Sequence, residues 1–289
     1  MSGAVADRRP VPDALLGPLR ASDATADPAA LRERLSDDGY LFLPAALDAI
    51  AVMAARAGLF GRLAEVGEIA PPAVEGIATG TRRRSELAAD PGRFLKGLSE
   101  HPALRRVSHG PELGRLMAAL HGEPVRPYDF LWLRATPVGR SSPLHFDHVY
   151  MSRGSARVLS VWIPLGPVPL SDGPLTIVEG SHRAEALIER FRGHDVDRDP
   201  DRPGDVGEHP VDLATRLGTR LLTADFAPGD IVVFGLFTLH GSLDNRSPAG
   251  RVRLSCDVRY QPAAEAVDER WVGGDPPGHR GLGYGGLNA

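Results

Sequence analysis

Pro228-Gly-Asp-Ile-Val-Val-Phe-Gly-Leu-Phe237 runs straight on into Thr-Leu-His-Gly-Ser242. A turn signal, a β-branched and aromatic run and a second short extended piece follow one another with nothing helical between them. The same texture spreads outward on both sides. Val125–Pro137, Val158–Pro164, Leu175–Val178, Thr219–Phe226 and Arg251–Tyr260 all read as strands, divided by clusters of Gly, Pro, Asp and Ser. Short strands without intervening helices predict an antiparallel sandwich or jelly roll, not a βαβ layout.

Upstream the pattern changes to helical. Asp27-Pro-Ala-Ala-Leu-Arg-Glu-Arg-Leu35 offers a capping residue, proline at the first helical position and apolar spacing. Residues 45–66 and 111–121 read as two further helices, and Gly39–Pro44 as a short strand. Residues 67–100, with Pro71-Pro72 and Arg82-Arg83-Arg84, read as a mobile loop and a turn of helix. Residues 190–212 form an excursion of the length expected for a lid or a disordered loop. Residues 1–27 read as a flexible lead-in to one domain, 28–289. That domain is helical to about 122, β from about 123 to 262, and irregular from Gly273. The expected fold class is mainly β with flanking helices.

Bulk properties narrow the function by exclusion. The 289 residues are 42% apolar and 24% charged, enough for a sizeable core. A net charge of −4 provides no nucleic-acid footprint. No apolar run approaches the roughly 18–20 residues of a spanning helix. The start of the chain lacks a signal-peptide apolar region, so a cytoplasmic location without membrane association is expected. The single cysteine, Cys256, excludes an internal disulfide framework and multi-cysteine metal sites. Lys96 is the only lysine among 33 basic residues, so arginine frequency by itself carries no functional meaning.

The chemistry enters with Ser142-Pro-Leu-His-Phe-Asp-His148. On an extended segment His145 and Asp147 share a face, because strand side chains alternate with period two. They supply two thirds of a 2-His-1-carboxylate triad, the ligand set that holds non-heme Fe(II) and leaves positions open. The third ligand should be a distant histidine, and His240 is well placed. Arg251 follows eleven residues later. Together these point to an oxygen-activating iron enzyme that also binds a dicarboxylate.

An ordered set of motifs then resembles the phytanoyl-CoA dioxygenase-like family of Fe(II)/2-oxoglutarate-dependent oxygenases. It consists of Asp38-Gly-Tyr-Leu-Phe-Leu43, the H-x-D at 145–147, Ser160-Val-Trp-Ile-Pro-Leu165, Asp172-Gly-Pro-Leu175 and Glu179-Gly-Ser-His182. Pro228-Gly-Asp, His240-Gly-Ser-Leu-Asp-Asn245, Arg251 and Asp257-Val-Arg-Tyr260 complete it, over roughly residues 30–262. The resemblance implies a double-stranded β-helix, a cupin-like jelly roll, with iron held by His145, Asp147 and His240. It implies 2-oxoglutarate and O2 as cosubstrates. Arg251 would anchor the distal carboxylate, assisted by Ser242, with Trp162 near the cosubstrate. Periodicity leaves one ambiguity: Arg251 and Arg253 alternate onto the same face, and only the eleven-residue spacing favours Arg251.

The resemblance further implies hydroxylation or a related oxidation, since halogenating relatives lack the carboxylate that Asp147 provides here. The substrate would be a small metabolite or natural-product intermediate. Arg134 and Arg183, if both face the barrel mouth, could clamp an anionic one. A cupin-like metal-dependent isomerase or hydrolase without 2-oxoglutarate is the alternative from another class. Oligomeric state is not legible.

Overall fold

The computed structural model describes residues 3–284. β1 (Val5–Ala6) and β2 (Arg9–Pro10) form a small hairpin, and β3 (Leu16–Pro18) follows. Then come α1 (Pro28–Asp38), β4 (Tyr40–Leu43), α2 (Ala49–Glu65), α3 (Arg84–Leu87), α4 (Pro91–Ser99), α5 (Pro102–Ser108) and α6 (Pro111–His121). The second half holds β5 (Val125–Pro127), β6 (Trp132–Thr136), β7 (Leu159–Pro164), β8 (Leu175–Val178), α7 (Glu185–Glu189) and α8 (Pro210–Leu217). β9 (Leu221–Thr223), β10 (Ile231–Gly235), β11 (His240–Ser242) and β12 (Arg253–Pro262) complete it. No helix among the described residues is long and apolar enough to cross a membrane.

The strands build two main sheets. The larger runs β4-β10-β7-β12-β5, with β6 also paired to β12; the smaller runs β11-β8-β9-β3. Alternation sorts each strand's side chains between two destinations. From β7, Val161 and Ile163 join a core with Leu59 and Phe60 of α2, Leu98 of α4 and Met117 of α6. That core covers the outer face of the larger sheet with helices. Trp162 points the other way and packs with Phe42, Val232 and Phe234 against Ile177 and Leu222 of the smaller sheet. The two sheets therefore lie face to face. The interior between them is where the polar residues of β12 also end up.

Three expectations need correction. Residues 5–18 are no loose lead-in: β3 pairs in parallel with β9, and the Asp244 carboxylate accepts the amides of Asp7 and Arg8 at 2.9 and 2.7 Å. Met1 and Ser2, and residues 285–289 of the tail, lie outside the described residues. The 67–100 stretch holds more helix than expected, because Asp90 and His101 accept helix N-terminal amides with proline next in sequence. The 190–212 excursion is packed. Val196 donates its amide to Val149 and Val206 to Leu144, and Val196 and Val206 are buried.

Candidate metal centre

Three buried side chains converge from two segments. His145 lies in an extended stretch whose backbone pairs in both directions with His240 on β11, N–H to O distances being 2.9 and 3.2 Å. Asp147 opens a short 3-10 turn immediately afterwards. The ligand atoms of His145, Asp147 and His240 all lie within 4.8 Å of one another. Nε2 of His145 is 3.7 Å and Nε2 of His240 is 3.8 Å from Asp147 Oδ1, with the two rings 4.4 Å apart.

Hydrogen bonding sets the tautomers. His145 Nδ1–H donates to the Pro143 carbonyl and His240 Nδ1–H to the Thr238 carbonyl, both at 2.9 Å. Each Nε2 is then left with its lone pair facing the carboxylate, the arrangement in which outer partners orient metal-ligating histidines. Burial, reinforced by neighbouring His240, pushes His145 down to about 3, and burial lowers His240 as well. Both imidazoles are neutral at physiological pH, the form in which histidine can bind a metal. Burial alone would raise Asp147; Arg259, the two histidines and a Ser160 hydrogen bond outweigh it and hold the carboxyl below its usual range. A neutral-neutral-anionic N,N,O set fits a divalent first-row metal.

The centre opens into a cavity of about 320 Å³ whose lining includes His145, Asp147, Tyr150, Arg134, Trp132 and Trp271. Phe130, Trp132 and Trp271 pack ring on ring at 4.7–5.2 Å, making an aromatic wall. Opposite in character is Arg134. Its Nε donates to Asp257 at 3.0 Å and the side chain is 35% exposed. Asp257 overcomes the cost of burial there and raises the guanidinium pKa.

The other expected residues are distributed differently. Arg251 does not enter the interior: its side chain is 42% exposed, 3.8 Å from Glu75, and its backbone bridges Ile77. Arg253, where β12 begins, is buried, donates from Nη2 to Thr136 Oγ1 at 2.8 Å, and has no partner for Nε among the described residues. Arg183 points away from the centre to Ser36 and Asp37 at the end of α1. Ser242 accepts the Ser142 amide at 2.8 Å and so ties the H-x-D segment to β11. Trp162 is sealed in the core 4.8 Å from Phe226 and does not line the cavity. Sequence reasoning passed over Arg259, which binds Asp147, although Asp257-Val-Arg259 already shared the period-two face of Arg253.

Comparison with known proteins gives the family and the fold. The family model for phytanoyl-CoA dioxygenase (PhyH) matches residues 35–253. A 1-deoxypentalenic acid 11-beta-hydroxylase of Streptomyces arenae is 29% identical over 253 residues, 82% of each chain. The solved structure of EctD from S. alaskensis superposes with TM-score 0.57 at 18% identity, covering 97% of this chain and 98% of that one. That of SnoK, a non-heme alpha ketoglutarate dependent carbocyclase from nogalamycin biosynthesis, does so with TM-score 0.56 at 21% identity, covering 86% and 89%. At such identities the structural likeness speaks for the fold alone. With its motifs, its triad and the family match over three quarters of its length, the chain belongs to the phytanoyl-CoA dioxygenase (PhyH) family of Fe(II)/2-oxoglutarate-dependent oxygenases.

Proposed function

We propose that the protein hydroxylates an aliphatic C–H bond of a small, carboxylate-bearing metabolite or natural-product intermediate, on a double-stranded β-helix core. The observation that carries this reading is the cavity itself, where His145 and Asp147 of the triad, an aromatic wall and the partly exposed Arg134 share one lining. Its volume of about 320 Å³ falls within the range of small-molecule sites, roughly 300–1,000 Å³.

His145, Asp147 and His240 would hold the iron, which with 2-oxoglutarate and O2 supplies the oxidising chemistry. The rest falls to the chain. Arg253 is the anchor for the distal carboxylate of 2-oxoglutarate, in place of Arg251: a buried guanidinium with an unused N–H requires an anion that the protein does not provide. Thr136 fixes its orientation. Arg134 spends Nε on Asp257, and its two terminal nitrogens make no hydrogen bond to a described residue, so they are available to a substrate carboxylate. Phe130, Trp132 and Trp271 would lie against the hydrocarbon body and exclude water. The Streptomyces arenae relative is named for a carboxylic acid, which supports the same substrate class. An isomerase or hydrolase without 2-oxoglutarate leaves the buried Nε–H of Arg253 without a partner among the described residues.

The test has two stages. Anaerobic addition of Fe(II) and then 2-oxoglutarate should produce a visible metal-to-ligand charge-transfer band, lost in Arg253→Met; iron binding without the band would sink the reading. A thermal-shift panel of apolar carboxylic acids and their methyl esters then probes the substrate. Acids stabilising the loaded protein, esters not doing so, and loss of the difference in Arg134→Met are expected. Equal response to acid and ester would remove the anionic-substrate claim.

A further inference from the structure

Asp147 is held from behind. Its Oδ1 is the oxygen that faces both histidine Nε2 atoms, at 3.7 and 3.8 Å. Its Oδ2 accepts the Ser160 hydroxyl and Arg259 Nη2, the latter at 3.0 Å, while the same Nη2 stands 3.2 Å from Oδ1. Arg259 is 1% exposed, and its guanidinium carbon lies 4.0 Å from the Trp132 ring centroid, so the group is stacked and cannot swing aside. Nε and Nη1 have no partner among the described residues, although Arg259 lies in the wall of the cavity. A full positive charge beside a metal ligand repels the metal, so such a residue needs a reason to be there.

We propose that Arg259 is the positioning residue of this centre, with two effects that rest on the metal-site reading above. Its Nη2 lies nearer Oδ2 than Oδ1 and, with the Ser160 hydroxyl, engages Oδ2, so that Asp147 presents Oδ1 to the metal and leaves coordination positions open for cosubstrate. It also balances charge. Asp147 and Arg259 form a neutral buried pair before loading. A divalent metal alone adds two positive charges to that pair, and the 2-oxoglutarate dianion removes them. Arg259 therefore weakens binding of metal alone and strengthens binding of the dianion to the metal-loaded protein. The site favours complete loading over partial loading.

A merely structural ion pair makes a different prediction, because its loss would weaken both ligands together. The experiment measures Mn(II) affinity of the metal-free protein, then 2-oxoglutarate affinity of the Mn(II)-loaded protein, by anaerobic calorimetry. Arg259→Met is expected to tighten Mn(II) by about threefold or more and to weaken 2-oxoglutarate by about tenfold or more, the signs that follow from removing one positive charge. Arg259→Lys keeps the charge and should restore both constants to within about threefold of the original. Ser160→Ala removes the other Oδ2 donor at constant charge and should leave the dianion affinity within the same about threefold margin.

Parallel weakening of both ligands in Arg259→Met, no change in either, or a lysine variant that behaves like methionine overturns the proposal. If circular dichroism shows Arg259→Met unfolded, Arg259→Gln takes its place. If that too is unfolded, a tenfold loss of dianion affinity in the lysine or Ser160→Ala protein overturns it, and retention upholds it. Failure of the underlying centre looks different: the unaltered protein would bind no Mn(II), or Asp147→Ala would bind it equally well.

Discussion

Arg253→Met should stabilise the metal-free protein and at the same time destroy its affinity for 2-oxoglutarate. Burial, with Arg134 as a like-charged neighbour, pushes the Arg253 guanidinium well below its ordinary value, down to about 10, Asp257 offsetting only part. The folded state thus holds this proton less tightly than the unfolded chain does. The resulting penalty is fully present at every pH below the folded value and disappears only as pH rises past the unfolded one. At neutral pH it costs about 3 kcal/mol. Methionine removes the charge and roughly keeps the length, at the loss of the charge-assisted hydrogen bond to Thr136 and a long one to Ser255, together worth about 2 kcal/mol. A net gain of about 1 kcal/mol corresponds to a melting temperature about 2 °C higher for a chain of this size.

The ligand responds the opposite way. Deleting one partner of a buried charge pair costs about 3–5 kcal/mol, roughly 10²–10⁴-fold in Kd. Arg251→Ala is the control. Its half-exposed side chain faces Glu75 at 3.8 Å, a pair worth about 0.5 kcal/mol, so neither stability nor 2-oxoglutarate affinity should move appreciably. Differential scanning fluorimetry of the metal-free proteins and anaerobic calorimetry on the Mn(II)-loaded ones read both effects. An Arg251→Ala protein that loses 2-oxoglutarate while Arg253→Met retains it would refute the assignment.

Three other outcomes are expected. His145 is neutral in the fold down to about 3, whereas an unfolded histidine protonates near 6.5; stability should fall as pH drops below 6.5, by about 2 kcal/mol at pH 5 from this residue. Thermal melts at pH 7 and pH 5 should show a shallower loss in His145→Asn. Asp147→Ala strands the buried Arg259 and should cost about 3–5 kcal/mol, and added Mn(II) should no longer raise its melting temperature. Arg270 holds Asp268 and Asp197, both at 2.6 Å, and the Tyr150 carbonyl at 2.8 Å. Arg270→Met should loosen the 190–209 segment, seen as new cleavage there under limited proteolysis, while Arg183→Ala, on the surface, should leave the digestion pattern unchanged.

The elements most legible in the sequence were those whose signals are local. Asp27-Pro28 announces α1, and the β-branched runs announce β7 and β10. The same local grammar stood before α4 and α5, in Asp90-Pro91 and His101-Pro102, but was obscured by the prolines and arginines around it. The Arg251 expectation went astray for a different reason. Counting eleven residues from His240 runs through the turn between β11 and β12, where Asn245 bonds the carbonyls of Thr136 and Arg251 and Ile77 draws the Arg251 backbone aside. Side-chain alternation cannot be counted across a turn, and β12 starts only at Arg253. Arg183 sits on a 3-10 turn, where period-two reasoning does not apply.

β12 shows best where sequence ends and tertiary structure begins. Arg253-Leu-Ser-Cys-Asp-Val-Arg-Tyr-Gln-Pro262 alternates polar and apolar, and that alone determines which side chains share a face. It puts Leu254, Cys256 and Val258 on one side, and Arg253, Ser255, Asp257 and Arg259 on the other. By itself the pattern describes a strand with its polar face in water. In the fold all ten residues are buried, the apolar face under the helices and the charged face in the interior beside the triad. Periodicity decides which residues share a face; only the long-range pairing of the second sheet decides what covers it. Covered, the two guanidinium groups and the carboxylate of this face lose water and must satisfy one another, a neighbouring carboxylate or an anion, and that is what turns a strand into a site.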